Sequence, residues 1–156
     1  MIDERMAAII AQNSIGFVAT ITPEGRPAVS PKGTFVQIDS KTIAFSNIRS
    51  PGTLKNIQHN PWVEVNFIDI FHRTGCRIKG RARYHEIDSP AYAELAPAFA
   101  KWETLKSAMR GFVVISVEEA QFITSPIYDV GAKGDELAAQ WLETYTKLLS
   151  TSPSDG

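Results

Sequence analysis

The chain has 156 residues, of which 44% are hydrophobic and 21% charged, and its formal net charge is −1. This balance gives no general reason to expect nucleic acid or an acidic membrane as a partner. No stretch approaches the roughly 20 apolar residues of a membrane span. We expect one globular domain over residues 1–150 and a disordered tail at residues 151–156.

The first half of the chain predicts one helix followed by closely spaced strands. Ile2–Gln12 has its apolar residues on one helical face, so it is predicted to be amphipathic. Six β-rich runs follow: Ser14–Thr22, Pro27–Ser30, Gly33–Asp39, Thr42–Asn47, Val63–Phe71 and Cys76–His85. Because these runs are short and are separated by turn residues, they indicate an antiparallel barrel or sandwich with six strands before residue 86.

The segment after the fourth run has the features of an anion-binding helix start. Ser50 has the chemistry of an N-cap, and Pro51 suits the first helical position. The first turn would offer unpaired N–H groups and the hydroxyls of Ser50 and Thr53, flanked by the cations Arg49 and Lys55. A bound phosphate would suit this arrangement. The alternative is a helix start without a ligand, since two exposed cations cost only about 0.3–1 kcal/mol each.

The run Cys76–His85 carries a cation at every second position: Arg77, Lys79, Arg81 and Arg83. Side chains alternate between the two faces of a strand, so these four cations share one face. They form either a solvated outer face or a basic wall for an anionic ligand or a partner subunit. We favour the solvated face.

The second half of the chain mixes helices with one apolar strand. Two helices are predicted at Pro90–Ala96 and Pro97–Met109, because Pro97 interrupts the helical pattern. The run Gly111–Val117 is predicted to be a central strand, which Gln121–Thr124 continues or pairs with. A last helix opens at Gly134, and an apolar stripe predicts that it docks: Leu137, Trp141, Tyr145, Leu148 and Leu149.

The side chains themselves offer no catalytic motif for a difficult reaction. His59, His72 and His85 are far apart and have no partner at metal-ligand spacing, so no metal site is predicted. Cys76 is the only cysteine, which excludes an internal disulfide and favours a buried residue in a reducing compartment. With no secretory signal pattern at Met1–Arg5, we expect a cytoplasmic protein. A bound cofactor would have to supply any hard chemistry.

Three blocks of the chain, Pro27–Gly33, Ala44–Pro61 and Arg77–Tyr84, resemble the pyridoxamine 5′-phosphate oxidase-like FMN-binding split β-barrel family. The order of helices and strands is similar over roughly residues 5–125. The resemblance implies a mainly β (α+β) fold, a six-stranded antiparallel split β-barrel with flanking helices. It also implies a homodimer with two FMN sites at the subunit interface.

The resemblance also implies which residues contact FMN. One group lies beside the flavin ring: Val29, Ser30, Pro31, Lys32, Gly33, Ser46 and Asn47. A second group lies in the segment that holds the phosphate: Arg49, Ser50, Thr53 and Lys55. A flavin favours positive charge near N1, which Lys32 or a cation of the strand Arg77–Arg83 could supply. No catalytic side chain is assigned.

This chain departs from the vitamin B6 oxidase at two places. The phosphate segment of that oxidase reads Ser-Arg-Lys where this chain has Pro51-Gly52-Thr53. The chain also lacks the Arg-bearing C-terminal ending that binds the vitamin B6 phosphate. Pyridoxamine phosphate is therefore not the expected substrate. The identity of the cation that binds the FMN phosphate stays open.

The leading hypothesis is an FMN-dependent oxidoreductase that acts on an unidentified small molecule. One alternative is a non-catalytic flavin- or haem-binding protein on the same barrel. Another is a reductase that uses the deazaflavin F420 in place of FMN. A basic β-sheet module for nucleic acid is disfavoured by the balanced charge and by the lack of paired exposed aromatic residues.

Overall fold

The computed structural model describes residues 1–151, which form seven strands and a set of flanking helices. The strands are β1 Gly16–Ile21, β2 Pro27–Lys32, β3 Phe35–Asp39, β4 Thr42–Ser46, β5 Trp62–Asp69, β6 Thr74–Glu86 and β7 Gly111–Thr124. The α-helices are α1 Glu4–Gln12, α2 Pro51–His59, α3 Pro90–Leu95 and α4 Gly134–Thr151. Two 3₁₀ helices, Ala96–Ala108 and Pro126–Val130, complete the described chain. Thr151 ends α4, and the rest of the predicted tail, residues 152–156, lies outside the described residues.

All strands form one antiparallel sheet in the order β2-β1-β5-β6-β7-β4-β3. The six strands predicted before residue 86 are confirmed as β1–β6. The six-stranded barrel that the resemblance implied is one strand short, because β7 lies in the same sheet between β6 and β4. Its two predicted parts form one continuous strand, since β6 pairs with it as far as Thr124. The expected central position of β7 is confirmed.

The sheet curls so that β3 returns towards β1, which gives the split barrel. The Phe35 N–H donates to the Ser14 carbonyl across the gap at 3.4 Å. The ring of Phe35 lies 4.8 Å from that of Phe67 on β5, in an edge-to-face contact. These contacts close the interior without a complete ladder between β1 and β3.

The core follows from alternation along the strands and from one stripe of α1. Val65, Phe67, Cys76 and Ile78 are fully buried inside the barrel. Met6, Ile9 and Ile10 of α1 cover one end of this cluster. Burying an apolar side chain of this kind contributes about 1.5–3 kcal/mol. The complete burial of Cys76 confirms its interpretation as a buried small hydrophobe, and this burial raises the pKa of the thiol to about 12.

The outer face of β6 is a solvated, charge-paired surface. Three of its cations lie 3.1–3.2 Å from carboxylate oxygens of neighbouring strands: Arg77 from Glu64, Lys79 from Glu119 and Arg81 from Glu118. Such exposed pairs contribute about 0–1 kcal/mol each. In the single chain these three residues form a solvated outer face, and whether a partner subunit covers it stays a prediction.

The segment between β6 and β7 forms a second core cluster. Tyr92 and Phe99 stack on either side of Phe112, with ring centroids 4.3 and 4.0 Å away. The prediction of two helices is confirmed, and the second is a 3₁₀ helix with non-helical angles at Trp102. Pro97 has no N–H to extend the ladder of α3, so the helix type changes there.

The C-terminal helix α4 docks through only part of its apolar stripe. Leu137 is buried, and the Trp141 ring lies under the Arg73 guanidinium at 4.4 Å. Leu148 and Leu149 are 56% and 79% exposed, so the predicted docking is wrong for these two side chains. Over residues 1–151, no helix is both long enough and apolar enough to cross a membrane.

Candidate functional site

Two cavities lie side by side where β2 and β4 end and α2 begins. The larger has a volume of about 530 Å³ and is lined by Pro31, Lys32, Gly33, Thr34, Ser46, Ile48, Arg49, Ser50, Ala108 and Arg110. The smaller has a volume of about 230 Å³ and is lined by Thr20, Ala28, Val29, Ser30, Lys32, Arg49, Ser50, Pro51, Gly52, Thr53 and Asn56. Lys32, Arg49 and Ser50 line both cavities, which makes them one continuous candidate site.

The smaller cavity is built around the N-terminus of α2. The first hydrogen bond of this helix runs from the Leu54 N–H to the Ser50 carbonyl at 3.0 Å. The N–H groups of Gly52 and Thr53 therefore have no partner within the helix. Ser50 occupies the N-cap position, but its hydroxyl makes no cap hydrogen bond. These two N–H groups and the hydroxyls of Ser50 and Thr53 are therefore hydrogen-bond donors at the wall of the smaller cavity.

Buried hydrogen bonds fix the walls of the site. The Asn56 side-chain amide donates to the Thr20 hydroxyl at 2.9 Å and ties α2 to β1. The Ser46 hydroxyl donates to the Thr34 hydroxyl at 2.8 Å, at the wall of the larger cavity. All buried polar residues of the described chain lie in or beside the two cavities: Thr20, Thr34, Ser46, Asn47, Ser50, Thr53 and Asn56. The structure thus concentrates its buried polar groups at one place.

A hydrogen-bonded network holds the back of the larger cavity. The Asn47 N–H donates to the Gly111 carbonyl, and the Arg110 N–H donates to the Asn47 carbonyl, both at 2.8 Å. The Tyr84 hydroxyl donates to the Arg110 carbonyl at 2.8 Å. Gly111 has a φ of 156°, and a Cβ there would lie 2.4 Å from the His85 carbonyl oxygen. The close approach requires glycine directly after Arg110.

The site carries positive charge that no carboxylate at the cavity walls balances. Lys32, Arg49 and Arg110 line the larger cavity, and neither cavity is lined by a carboxylate. Burial lowers the pKa of Lys32, whose ammonium donates to the Ser30 hydroxyl at 2.7 Å. Unpaired cations, free N–H groups and hydroxyls together suit an anionic ligand.

Nine of the eleven predicted site residues line these two cavities: Val29, Ser30, Pro31, Lys32, Gly33, Ser46, Arg49, Ser50 and Thr53. Asn47 lies behind the larger cavity, where its side-chain amide donates to the Tyr84 hydroxyl at 3.3 Å. Lys55 is exposed on α2 and lines neither cavity. Within one chain, the cations of β6 also line neither cavity. Lys32 is therefore the better placed of the two predicted sources of positive charge near a ring.

Four lining residues that shape the site were not predicted: Thr20, Thr34, Asn56 and Arg110. The hydroxyls and the amide carry no local signal, since their partners are distant in the sequence. Arg110 does have one, because it stands directly before the glycine that opens β7. Across the described part of the chain, no group of three His, Cys, Asp or Glu side chains could hold a metal ion.

The curled antiparallel sheet defines a split β-barrel, and its polar, cationic cavities are the candidate site of that barrel. The chain belongs to the pyridoxamine 5′-phosphate oxidase family, whose model matches residues 2–124. No curated protein matches the chain.

Several solved structures share this fold. HupZ of Group A Streptococcus is 26% identical with a TM-score of 0.67, over 80% of this chain and 96% of that chain. An FMN-binding protein of Syntrophomonas wolfei is 12% identical with a TM-score of 0.65, over 78% of this chain and 86% of that chain. An F420 reductase is 19% identical with a TM-score of 0.58, over 76% of this chain and 98% of that chain. The likeness to the last two concerns the fold alone.

Proposed function

We propose that this chain binds FMN in the two cavities and acts as an FMN-dependent oxidoreductase on a small molecule. The observation that carries the proposal is the N-terminus of α2. There, two N–H groups without a partner in the helix lie with the hydroxyls of Ser50 and Thr53 at the wall of the smaller cavity. Arg49 also lines this cavity, and no carboxylate does. A phosphate monoester satisfies all of these donors at once.

The donor set fits both ends of the cofactor. Gly52, Thr53, Ser50 and Arg49 would hold the phosphate, and the segment Val29–Gly33 with Ser46 would border the ring. Lys32 would place positive charge near the ring, since it lines both cavities. Bound FMN would supply hydride or electron transfer, because none of the side chains that line the two cavities is a redox group.

The proposed functional unit is a homodimer with the flavin sites at its interface. Val29 lines the smaller cavity and is 65% exposed in the single chain. Phe17 stands opposite Pro31 in the β1–β2 ladder and is 46% exposed. Large exposed apolar side chains beside a binding site favour burial against another surface. A second copy would cover them and wall the site.

Two alternatives use the same geometry. F420 is the second candidate cofactor, because an F420 reductase shares the fold and the α2 N-terminus suits either phosphate. A non-catalytic flavin- or haem-binding protein is the other alternative, in which the site holds its ligand but no turnover follows. Reduction of the protein-bound flavin separates this alternative from an oxidoreductase.

The proposal is tested by calorimetric titration of the apo protein with FMN, riboflavin and F420. We expect FMN to bind at least about 100-fold more tightly than riboflavin, because two or more charge-assisted bonds to the phosphate contribute about 1.5–3 kcal/mol each. Arg49→Ala should weaken FMN binding by about 1–3 kcal/mol and riboflavin binding much less. Lys55→Ala is the matched control, since Lys55 is a nearby cation on α2 that lines neither cavity.

Equal affinities for FMN and riboflavin would refute the phosphate assignment. Tighter binding of F420 than of FMN would assign the site to the deazaflavin instead. Stopped-flow mixing of the FMN-loaded protein with NADH or NADPH then tests turnover, and an unreduced flavin with both donors supports the non-catalytic alternative. Light scattering of the FMN-loaded protein should give the mass of a dimer, and a monomer at micromolar concentration contradicts the interface site.

A further inference from the structure

The larger cavity carries more positive charge than one phosphate group needs. Lys32, Arg49 and Arg110 line it, and no carboxylate lines it or the smaller cavity. A phosphate monoester carries about −1.5 to −2 charges near pH 7, and the N-terminus of α2 adds a partial positive charge of its own. With the FMN phosphate held at α2, at least one cation of the larger cavity remains without a counter-charge.

Of the three cations, Arg110 alone lines only the larger cavity, whereas the phosphate donors Gly52 and Thr53 line only the smaller one. It lies directly before β7, in a part of the chain separate from the α2 segment. Arg49 and Lys32 line both cavities and so are available to the cofactor. Arg110 is therefore the cation that the cofactor phosphate does not use.

The backbone of Arg110 is fixed more firmly than an exposed arginine requires. Its N–H donates to the Asn47 carbonyl, and its carbonyl accepts from the Tyr84 hydroxyl, each at 2.8 Å. Asn47 is itself buried and donates from its N–H to the Gly111 carbonyl. Hydrogen bonds on both sides of the residue hold its Cα in place, which limits the positions that the guanidinium can reach.

The guanidinium of Arg110 has no carboxylate partner within residues 1–151. This differs from the outer face of β6, where Arg77, Lys79 and Arg81 each lie beside a glutamate. A guanidinium fork matches the two oxygens of a carboxylate or a phosphate and forms two parallel hydrogen bonds with either. An unpaired fork on a fixed backbone at a cavity wall is suited to such an anion.

We propose that Arg110 binds an anionic group of the substrate, a carboxylate or a phosphate, in the larger cavity. This inference rests on the proposed function, because it places the substrate beside FMN. It adds the class of substrate, an organic anion, and the residue that selects it.

The test is calorimetric titration of the FMN-loaded protein with benzoate, phenyl phosphate and benzamide. The three probes share a planar ring, and benzamide lacks the charge. At least one anion should bind about tenfold or more tightly than benzamide, and Arg110→Gln should remove that preference. The anion that binds more tightly identifies the group as carboxylate or phosphate. Arg26→Gln is the matched control, since Arg26 lies in the β1–β2 turn and lines neither cavity.

Arg110→Lys is measured beside Arg110→Gln and should restore part of the anion preference, because it keeps the charge and loses the fork. The inference is overturned if benzamide binds as tightly as both anions, if no probe binds, or if Arg110→Gln binds the anions as the wild type does. Failure of the proposed function is seen separately, as absence of FMN from the protein. In that case the same three probes are titrated into the apo protein that carries Arg49→Ala. Weaker anion binding after the addition of Arg110→Gln still supports the inference, and unchanged anion binding overturns it.

Discussion

The hydrogen bond between Thr20 and Asn56 gives a quantitative test of how α2 is held beneath the smaller cavity. Both residues are buried, and the donor–acceptor distance is 2.9 Å. Asn56→Leu removes the bond and leaves the Thr20 hydroxyl with only a 3.5 Å contact to the Ala28 carbonyl. A net hydrogen bond contributes about 0.5–1.5 kcal/mol, and an unsatisfied buried polar group costs about 1–3 kcal/mol.

We therefore expect Asn56→Leu to lower the free energy of unfolding by about 1–3 kcal/mol, which corresponds to about 2–4 °C in Tm per kcal/mol for a chain of this size. Thr20→Val should have a similar cost, because it leaves the Asn56 amide without its acceptor. The double variant replaces both polar groups with apolar ones of similar shape, so its loss should be smaller than the sum of the two single losses by about 1 kcal/mol or more.

Urea denaturation followed by circular dichroism measures the four free energies of the cycle. Thr104→Val is a suitable control, since Thr104 is an exposed threonine outside both cavities. Losses that add within about 0.3–0.5 kcal/mol would refute the reasoning, because they would show that the two side chains act independently. FMN affinity measured on the same variants shows whether this bond also aligns the donors of α2.

Two further predictions concern the ionisable side chains of Asp3 and Cys76. The backbone N–H of Met6, and then the Arg5 side chain, lower the pKa of Asp3 in the folded chain, so Asp3→Ala should destabilise at pH 7 by about 0.5–1 kcal/mol. Because the folded pKa of Asp3 lies below 3.8, this contribution to stability is present above pH 3.8 and is lost as the pH falls through the folded pKa. If denaturation curves well below pH 3.8 show the same destabilisation by Asp3→Ala as at pH 7, the cap assignment is contradicted. The native Cys76 thiol, with its pKa raised to about 12, should resist a thiol reagent at pH 8 and react only after denaturation, and rapid native labelling would show that the core opens readily.

The parts of the fold with local signals could be predicted from the sequence. Ser50 and Pro51 mark the start of α2, and the seven strands differ from the predicted runs mainly at their ends, by one or two residues, with Gly111–Val117 and Gln121–Thr124 joined into β7. Alternation also gave the outer face of β6, because one face of a strand must be polar when the other is buried. These features depend on neighbours in the sequence.

The parts that depend on distant contacts could not be predicted. Asn56 finds Thr20 only when α2 packs on β1, and Arg110 reaches the cavity only because β7 pairs with β4. The apolar stripe of α4 predicted burial of Leu148 and Leu149, but both are exposed, whereas Trp141 and Tyr145 of the same stripe contact Arg73 and Phe71. Helical periodicity identifies a face without specifying how much of it another element covers.

The long ladder between β6 and β7 has a consequence for the order in which the protein folds. It runs from Glu86 opposite Gly111 to Thr74 opposite Thr124, so the first pair closes the shortest loop and the last pair the longest. Since a shorter loop loses less entropy on closure, we expect pairing to start beside Glu86 and to extend towards Thr74. Tyr84 and Arg110 lie at the starting end. The back wall of the larger cavity would then form early in folding, and the wall made by β1 and α2 would be added to it later.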